Sequence, residues 1–186
     1  MSRIRRHHDE NGSALLYTMI FLTLMVMATL TAVQFSSLEQ RMSASYRTHQ
    51  AAFVAAETVL LEAERCIKNQ NSCNDINTFA GDCSNGLCFS GSDRNSIISC
   101  RAGHARPWES AALWKDPGKT IAATTMPSGS SARYILEFLC YVPRTLFGVS
   151  PNPANPSDWS KLYRVTVLAS VDNLNSQVML QSTYKR

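Results

Sequence analysis

Between Ser13 and Val33, "SALLYTMIFLTLMVMATLTAV", the chain carries no charged side chain. At 1.5 Å per residue a helix of this stretch reaches about 31 Å, the thickness of a bilayer's hydrocarbon core. In lipid every backbone polar group has to be satisfied within the chain, so such a segment is a helix. Arg3, Arg5 and Arg6 precede it, which keeps the amino-terminal side cytoplasmic and sends the remainder of the chain across the membrane; Asp9 and Glu10 count for little in that rule. A cleaved secretory signal has a shorter apolar core and a small-x-small site. Here "TLTAVQF" offers Ala32, but with Leu30 two positions earlier, a poor fit. Two readings remain: a plain anchor, or a segment cut at Gly12 and kept.

The residues after the run extend the helix. From Gln34 to Ile67 there is neither proline nor glycine, and helix formers dominate. Phe35, Leu38, Met42, Phe53, Ala56, Val59, Leu60, Ala63 and Ile67 recur in steps that form one helical stripe. Glu39, Gln40, Arg41, Arg47, Gln50, Glu57, Glu62 and Arg65 occupy the other faces. A coiled-coil partner, or the chain's own domain packed on the helix, would each demand this pattern. The hydrophobic first half suits lipid or a bundle of like helices, and the amphipathic second half suits a globular domain.

Beyond the helix about 120 residues remain, enough for one domain with a core. The cysteines, Cys66, Cys73, Cys83, Cys88, Cys100 and Cys140, all follow the apolar run. An even count behind a membrane segment points to disulfides in an oxidising compartment, with the pairing open. No pair has C-x-x-C spacing, and His104 alone among the histidines lies near them, so neither a metal site nor a catalytic thiol is expected. The net charge of +4 comes from scattered lysines and arginines, without the basic patch of a nucleic-acid binder.

Three segments read as strands. "RYILEFLCYV" (Arg133–Val142) is aromatic and β-branched up to Pro143. Tyr163 to Val171 alternates apolar and polar side chains. "DNLN" (Asp172–Asn175) then supplies turn chemistry before a return strand from Gln177 to Tyr184. These predict an antiparallel sheet packed on the upper helix, an α+β arrangement. Asn69 to Ser99 reads as a loop region stapled by cysteines. "RPWESAALWKDPG" (Arg106–Gly118) is expected to hold a short helix with Trp108 and Trp114 as packing anchors. "VSPNPANPSDW" (Val149–Trp159) is expected to be a surface loop without helix.

No nucleophile elbow, phosphate loop or H-E-x-x-H pattern is present. Asp82, Asp93 and Asp116 lie in polar loops but lack calcium-loop spacing. The chain therefore reads as a non-enzyme without metal or cofactor.

The basic leader ending in Gly12, the uncharged helix and its amphipathic continuation together resemble a class III signal of the type IV pilin superfamily. "LEQRMSASYRTHQAAFVAAETVLLEAE" (Leu38–Glu64) resembles the stem of PilX-type minor pilins, as do "ARYILEFL" (Ala132–Leu139) and "LYRVTVLASVDNLNSQVMLQSTYKR" (Leu162–Arg186). The resemblance implies a type IV pilin-like fold, a long N-terminal helix on an antiparallel sheet with a disulfide-rich loop region. It divides the chain into a prepilin leader (1–12), a transmembrane or filament-core helix (13–33), an amphipathic stem (34–67) and a periplasmic globular domain (68–186). It implies cleavage by a prepilin peptidase after Gly12 and N-methylation at Ser13. The implied partners are the inner membrane, the major pilin and other minor pilins through their N-terminal helices, and a tip adhesin. The implied role is to prime the pilus and sit at or near its tip, supporting piliation, adhesion and twitching motility. Two departures stand out. Ser13 replaces the more usual Phe or Met, and Tyr17 stands where most pilins carry a glutamate. A type II secretion pseudopilin, or a signal-anchored periplasmic binding or sensing domain, is the alternative.

Overall fold

A computed structural model describes residues 11–69, 71–90, 106–145, 151–152, 154–171 and 176–186. The chain divides into two compact units, Met1–Tyr46 and Arg47–Arg186. The helix α1 (Asn11–Asn69) contributes to both.

In the first unit the described residues are helical throughout. Its large apolar side chains from Leu15 to Val33 are between 47% and 70% exposed, so this surface is built to be covered by something other than its own chain. The threonines within it do not conflict with an apolar surrounding. Thr18, Thr23, Thr29 and Thr31 each donate their hydroxyl at 2.8 Å to the carbonyl three residues earlier, those of Leu15, Ile20, Val26 and Ala28. The hydroxyl is thereby satisfied inside the helix.

The second unit is a helix on a sheet. Its strands are β1 (Leu87–Phe89), β2 (Ile121–Ala122), β3 (Ser130–Pro143), β4 (Trp159–Val171) and β5 (Gln177–Lys185). They form one mixed sheet in the order β1-β3-β4-β5, with β2 also paired to β3. The β3-β4 and β4-β5 ladders are antiparallel, as the sequence pattern predicts, and β2, a strand that pattern does not single out, also pairs antiparallel to β3. Strand β1 adds a short parallel ladder, Leu87 to Leu136 through Phe89 to Phe138, inside a stretch whose sequence has the character of a loop. The turn expected at Asp172–Asn175 lies outside the described residues.

With neighbours on both edges and layers on both faces, β3 has the near-continuous apolar sequence of a fully buried strand. Ala132, Tyr134, Leu136 and Phe138 face the helix. A bulge follows: Phe138 pairs with Tyr163 and Cys140 with Leu162, leaving Leu139 without a partner. The inserted residue inverts the alternation, so that Tyr141, not an even-numbered residue, joins Phe138 on the helix side, ring centroids 5.3 Å apart.

The helix meets the sheet through Ala52, Ala55, Ala56, Val59, Ala63 and Ile67, all without solvent exposure. Alanine brings the helix axis close, and the remaining volume is filled from the sheet side by Phe79, Phe89, Phe138, Tyr141 and Tyr163. Their neighbouring rings lie 5.3–6.4 Å apart. On the sheet's other face a smaller cluster joins Cys83, Cys88, Leu113 and Ile135, with Trp108 and Trp114 packed against it. Those tryptophans come from the region expected to hold a short helix. It does hold one, Ala111–Lys115, preceded by a single tighter turn at Pro107–Glu109. Another such turn, Pro156–Asp158, interrupts the loop expected to lack helix. Proline suits its first position, where no N–H is needed, and the Asn155 side chain caps it through the Ser157 N–H.

The far end of α1 is tied to the sheet by the C-terminal Arg186. The Arg186 guanidinium donates to the Ile67 carbonyl in the last turn of α1; beyond α1, at the end of a separate four-residue helix, Asn71–Asn74, Lys161 Nζ and the Tyr163 hydroxyl donate to Asn74 O at 3.3 and 3.2 Å. The Arg186 charge at the end of α1 complements the helix dipole and serves a carbonyl of the last turn.

Candidate functional site

Gly12 and Ser13 fall in the first turns of α1. Tyr17 is 70% exposed, on a surface that is uncharged from Ser13 to Leu38, with Glu39 the next charged residue. This surface is the first functional element. The helix is long and apolar enough to cross a membrane, and none of its most apolar stretch is buried against the described residues.

The cysteines brace the second unit. Cys66 is bonded to Cys73, closing the chain just beyond the packed helix, and Cys83 to Cys88, which holds β1 against the turn preceding it. Cys140 on β3 is also disulfide-bonded; Cys100 lies outside the described residues, as do Asp93 and His104. The loop carboxylates Asp82 and Asp116 are engaged in local turns. Asp82 accepts from the Ser84 hydroxyl at 2.6 Å and Asp116 from the Gly118 N–H at 2.9 Å. Among the described residues no group of three or more His, Cys, Asp or Glu is placed to hold a metal ion.

Two carboxylates that the sequence pattern does not single out have defined roles. Glu62, on α1, accepts from the Thr124 and Thr125 N–H groups at 3.0 and 2.8 Å and from the Thr124 hydroxyl at 2.9 Å. Partial burial opposes its ionisation, but these bonds outweigh that and hold the carboxyl below the ordinary range. The clamp fixes the segment after β2 to the helix and forms one wall of a cleft of about 550 Å³ with Arg65, Ile121 and Tyr134. Burial, reinforced by Glu62, pushes the Tyr134 phenol up to about 12.

Glu137 is 1% exposed on the sheet's other face. Desolvation raises its carboxyl, against the partial offset of Arg164 and of the Ser90 hydroxyl at 3.3 Å. Arg164 is its register partner on β4, 3.5 Å away, and lies 4.3 Å from the centre of the Trp108 ring. The signal was present in the sequence: one glutamate inside an apolar strand and one arginine on the polar side of the next.

An uncharged helix that the described residues leave uncovered, leading into an α+β unit whose sheet packs on the following helical turns, fits a pilin-like subunit with an N-terminal membrane anchor. Residues 84–186 match the family described as Type IV pilus assembly protein PilX C-term, and residues 11–61 match PilX N-terminal. The first match alone spans more than half of the chain, which therefore belongs to the PilX family, as a minor pilin of the type IV pilus. No match was found among curated proteins or among solved structures.

Proposed function

We infer that this minor pilin is cut by a prepilin peptidase between Gly12 and Ser13, methylated at Ser13, and held in the inner membrane with residues 68–186 in the periplasm until it is drawn into a pilus. There it primes assembly and occupies a position at or near the tip, beside other minor pilins, the major pilin and a tip adhesin. Through that position it supports adhesion and twitching motility.

The observation that carries this reading is Tyr17. The surface around it is apolar and exposed, and no carboxylate lies between Ser13 and Glu39. In a filament core the glutamate usual at this position neutralises a neighbour's charged amino terminus. A buried charge lacking its partner costs several kcal/mol, and a neutral tyrosine cannot supply the balance. A subunit with no neighbour to neutralise escapes that cost, which favours the end of the filament over its shaft.

The test has two readouts. The first is the N-terminal residue and mass of the protein recovered from membranes with and without the peptidase. A chain beginning at methylated Ser13 only when the peptidase is present supports processing; one that keeps Arg3 to Gly12 in both strains makes it a plain anchor. The second is immunogold labelling of sheared pili. Label at one filament end is expected, and label along the shaft would remove the tip assignment.

A further inference from the structure

We propose that the free edge of β5 is a strand-addition site for an extended, uncharged segment of another pilus subunit; this rests on the assembly role inferred above. The backbone groups of β5 alternate in direction. Arg186 and Lys161 exchange both of their N–H···O bonds, at 2.8 and 2.9 Å, and Val171 N donates to Ser176 O at the other end of the ladder. In an antiparallel pair such residues alternate with ones whose N–H and C=O face away. Following the β4-β5 register between those ends, Val178, Leu180, Ser182 and Tyr184 bond to β4. The backbone groups of Gln177, Met179, Gln181, Thr183 and Lys185 therefore point outward, and among the described residues no strand lies beyond β5 in the sheet.

Sheet edges of this kind are ordinarily protected by charge, proline, a bulge or an overlying segment. From Gln177 to Tyr184 there is no charge and no proline, and the β4-β5 ladder has no bulge. Lys185 does not guard the edge, because its ammonium is turned to the carbonyls of Pro143 and Arg144 at 2.7 and 3.0 Å. Met179 is 41% exposed among the outward residues. An edge this long, regular and neutral offers an incoming strand main-chain hydrogen bonds for affinity and the Met179 side chain for selection.

A second copy of this chain is a poor occupant. Symmetric β5–β5 pairing requires a two-fold axis perpendicular to the sheet, which reverses every direction in its plane. The two packed Arg47–Asn69 segments would then run in opposite directions, whereas copies side by side in one membrane or filament need them parallel. The fitting occupant is a stretch of about five residues from a different subunit, extended and uncharged.

Thr183→Pro tests this directly. It deletes an outward N–H and places a ring where the added strand would lie, yet leaves the β4 bonds of Ser182 and Tyr184 intact. The full-length protein in detergent is expected to melt within about 2 °C of wild type, because edge positions facing solvent tolerate proline. Surface pili are expected to fall about ten-fold or more, reflecting a lost hydrogen bond and a steric block. Met179→Lys, which leaves the backbone unaltered, serves if the proline variant fails to fold and is expected to lower piliation in the same way. A photo-crosslinking benzoylphenylalanine at Met179, in piliated cells, is expected to capture an extended uncharged segment of another pilus subunit. Crosslinks only to a second copy of this chain, or to no subunit, would overturn the proposal. So would wild-type piliation by a folded Thr183→Pro or Met179→Lys variant in a background where deleting the chain abolishes pili. If the deletion itself leaves piliation unchanged, the assembly role falls and the β5 proposal with it.

Discussion

Replacing Glu62 by glutamine keeps the side chain's shape and one acceptor oxygen but removes the charge that gathers Thr124 and Thr125. The wild-type carboxylate takes two backbone N–H groups and a hydroxyl at 2.8–3.0 Å. Hydrogen bonds to charged groups contribute about 1.5–3 kcal/mol where water is excluded. Both threonines are exposed, however, so water can take over part of the lost pairing and the net loss is about 1–2 kcal/mol. For a unit of this size that corresponds to a fall in Tm of about 3–8 °C. The pH dependence separates this cause from a general loss of packing. The folded-state pKa of Glu62 lies below its usual value of 4.5, so the unfolded chain binds the proton more tightly. The carboxylate's contribution is complete above the usual carboxylate range and disappears as pH falls through the depressed folded value. Thermal unfolding of the full chain in detergent, followed by circular dichroism at pH 7 and near pH 3, should therefore show the two proteins apart at the higher pH and converging at the lower. A Glu62→Gln variant that melts with wild type at pH 7, or keeps the same deficit at both pH values, would refute the clamp.

Glu137 should behave oppositely. Its carboxyl is raised by burial, so the folded state favours the proton and stability declines as pH rises from the ordinary carboxylate value through the folded one. Glu137→Gln should gain on wild type between pH 4 and pH 7, by about 1 kcal/mol; denaturant titration at the two pH values measures it. The Cys66–Cys73 bridge spans a sequence separation of 7, for which loop-closure entropy gives about 2 kcal/mol. The paired Cys66→Ser, Cys73→Ser protein should lose that much in the same titration. A loss many times larger would mean that the bridge holds the helix end as well as the loop.

Much of the architecture is legible along the chain because its cause is local. A run without charge from Ser13 to Leu38 has few ways to exist in water, and the absence of proline and glycine from Gln34 to Ile67 leaves the helix uninterrupted. The alternation from Tyr163 to Val171 declares a strand with two unlike faces. The apolar stripe along the helix is equally plain in the sequence, but its two halves have different fates. Ala56, Val59, Ala63 and Ile67 are buried against the sheet, whereas Phe35, Leu38 and Met42 remain exposed in the first unit.

What only the tertiary structure decided depends on contacts between residues far apart in sequence. Leu87–Phe89 is too short to show a period and is a strand because β3 lies beside it. The bulge at Leu139 leaves no mark in an apolar run, since every residue there is buried whichever face it takes. The cysteine pairing follows from which turns the fold brings together. Glu137 becomes a desolvated carboxyl beside Arg164 only once β3 and β4 are in register. The open edge of β5 likewise belongs to no residue of that strand. It exists because β4 takes one side of the ladder, so half of the backbone groups of β5 are left facing outward. Local composition fixes which segments are helix or strand; the order in which strands meet fixes which hydrogen bonds are left to offer a partner.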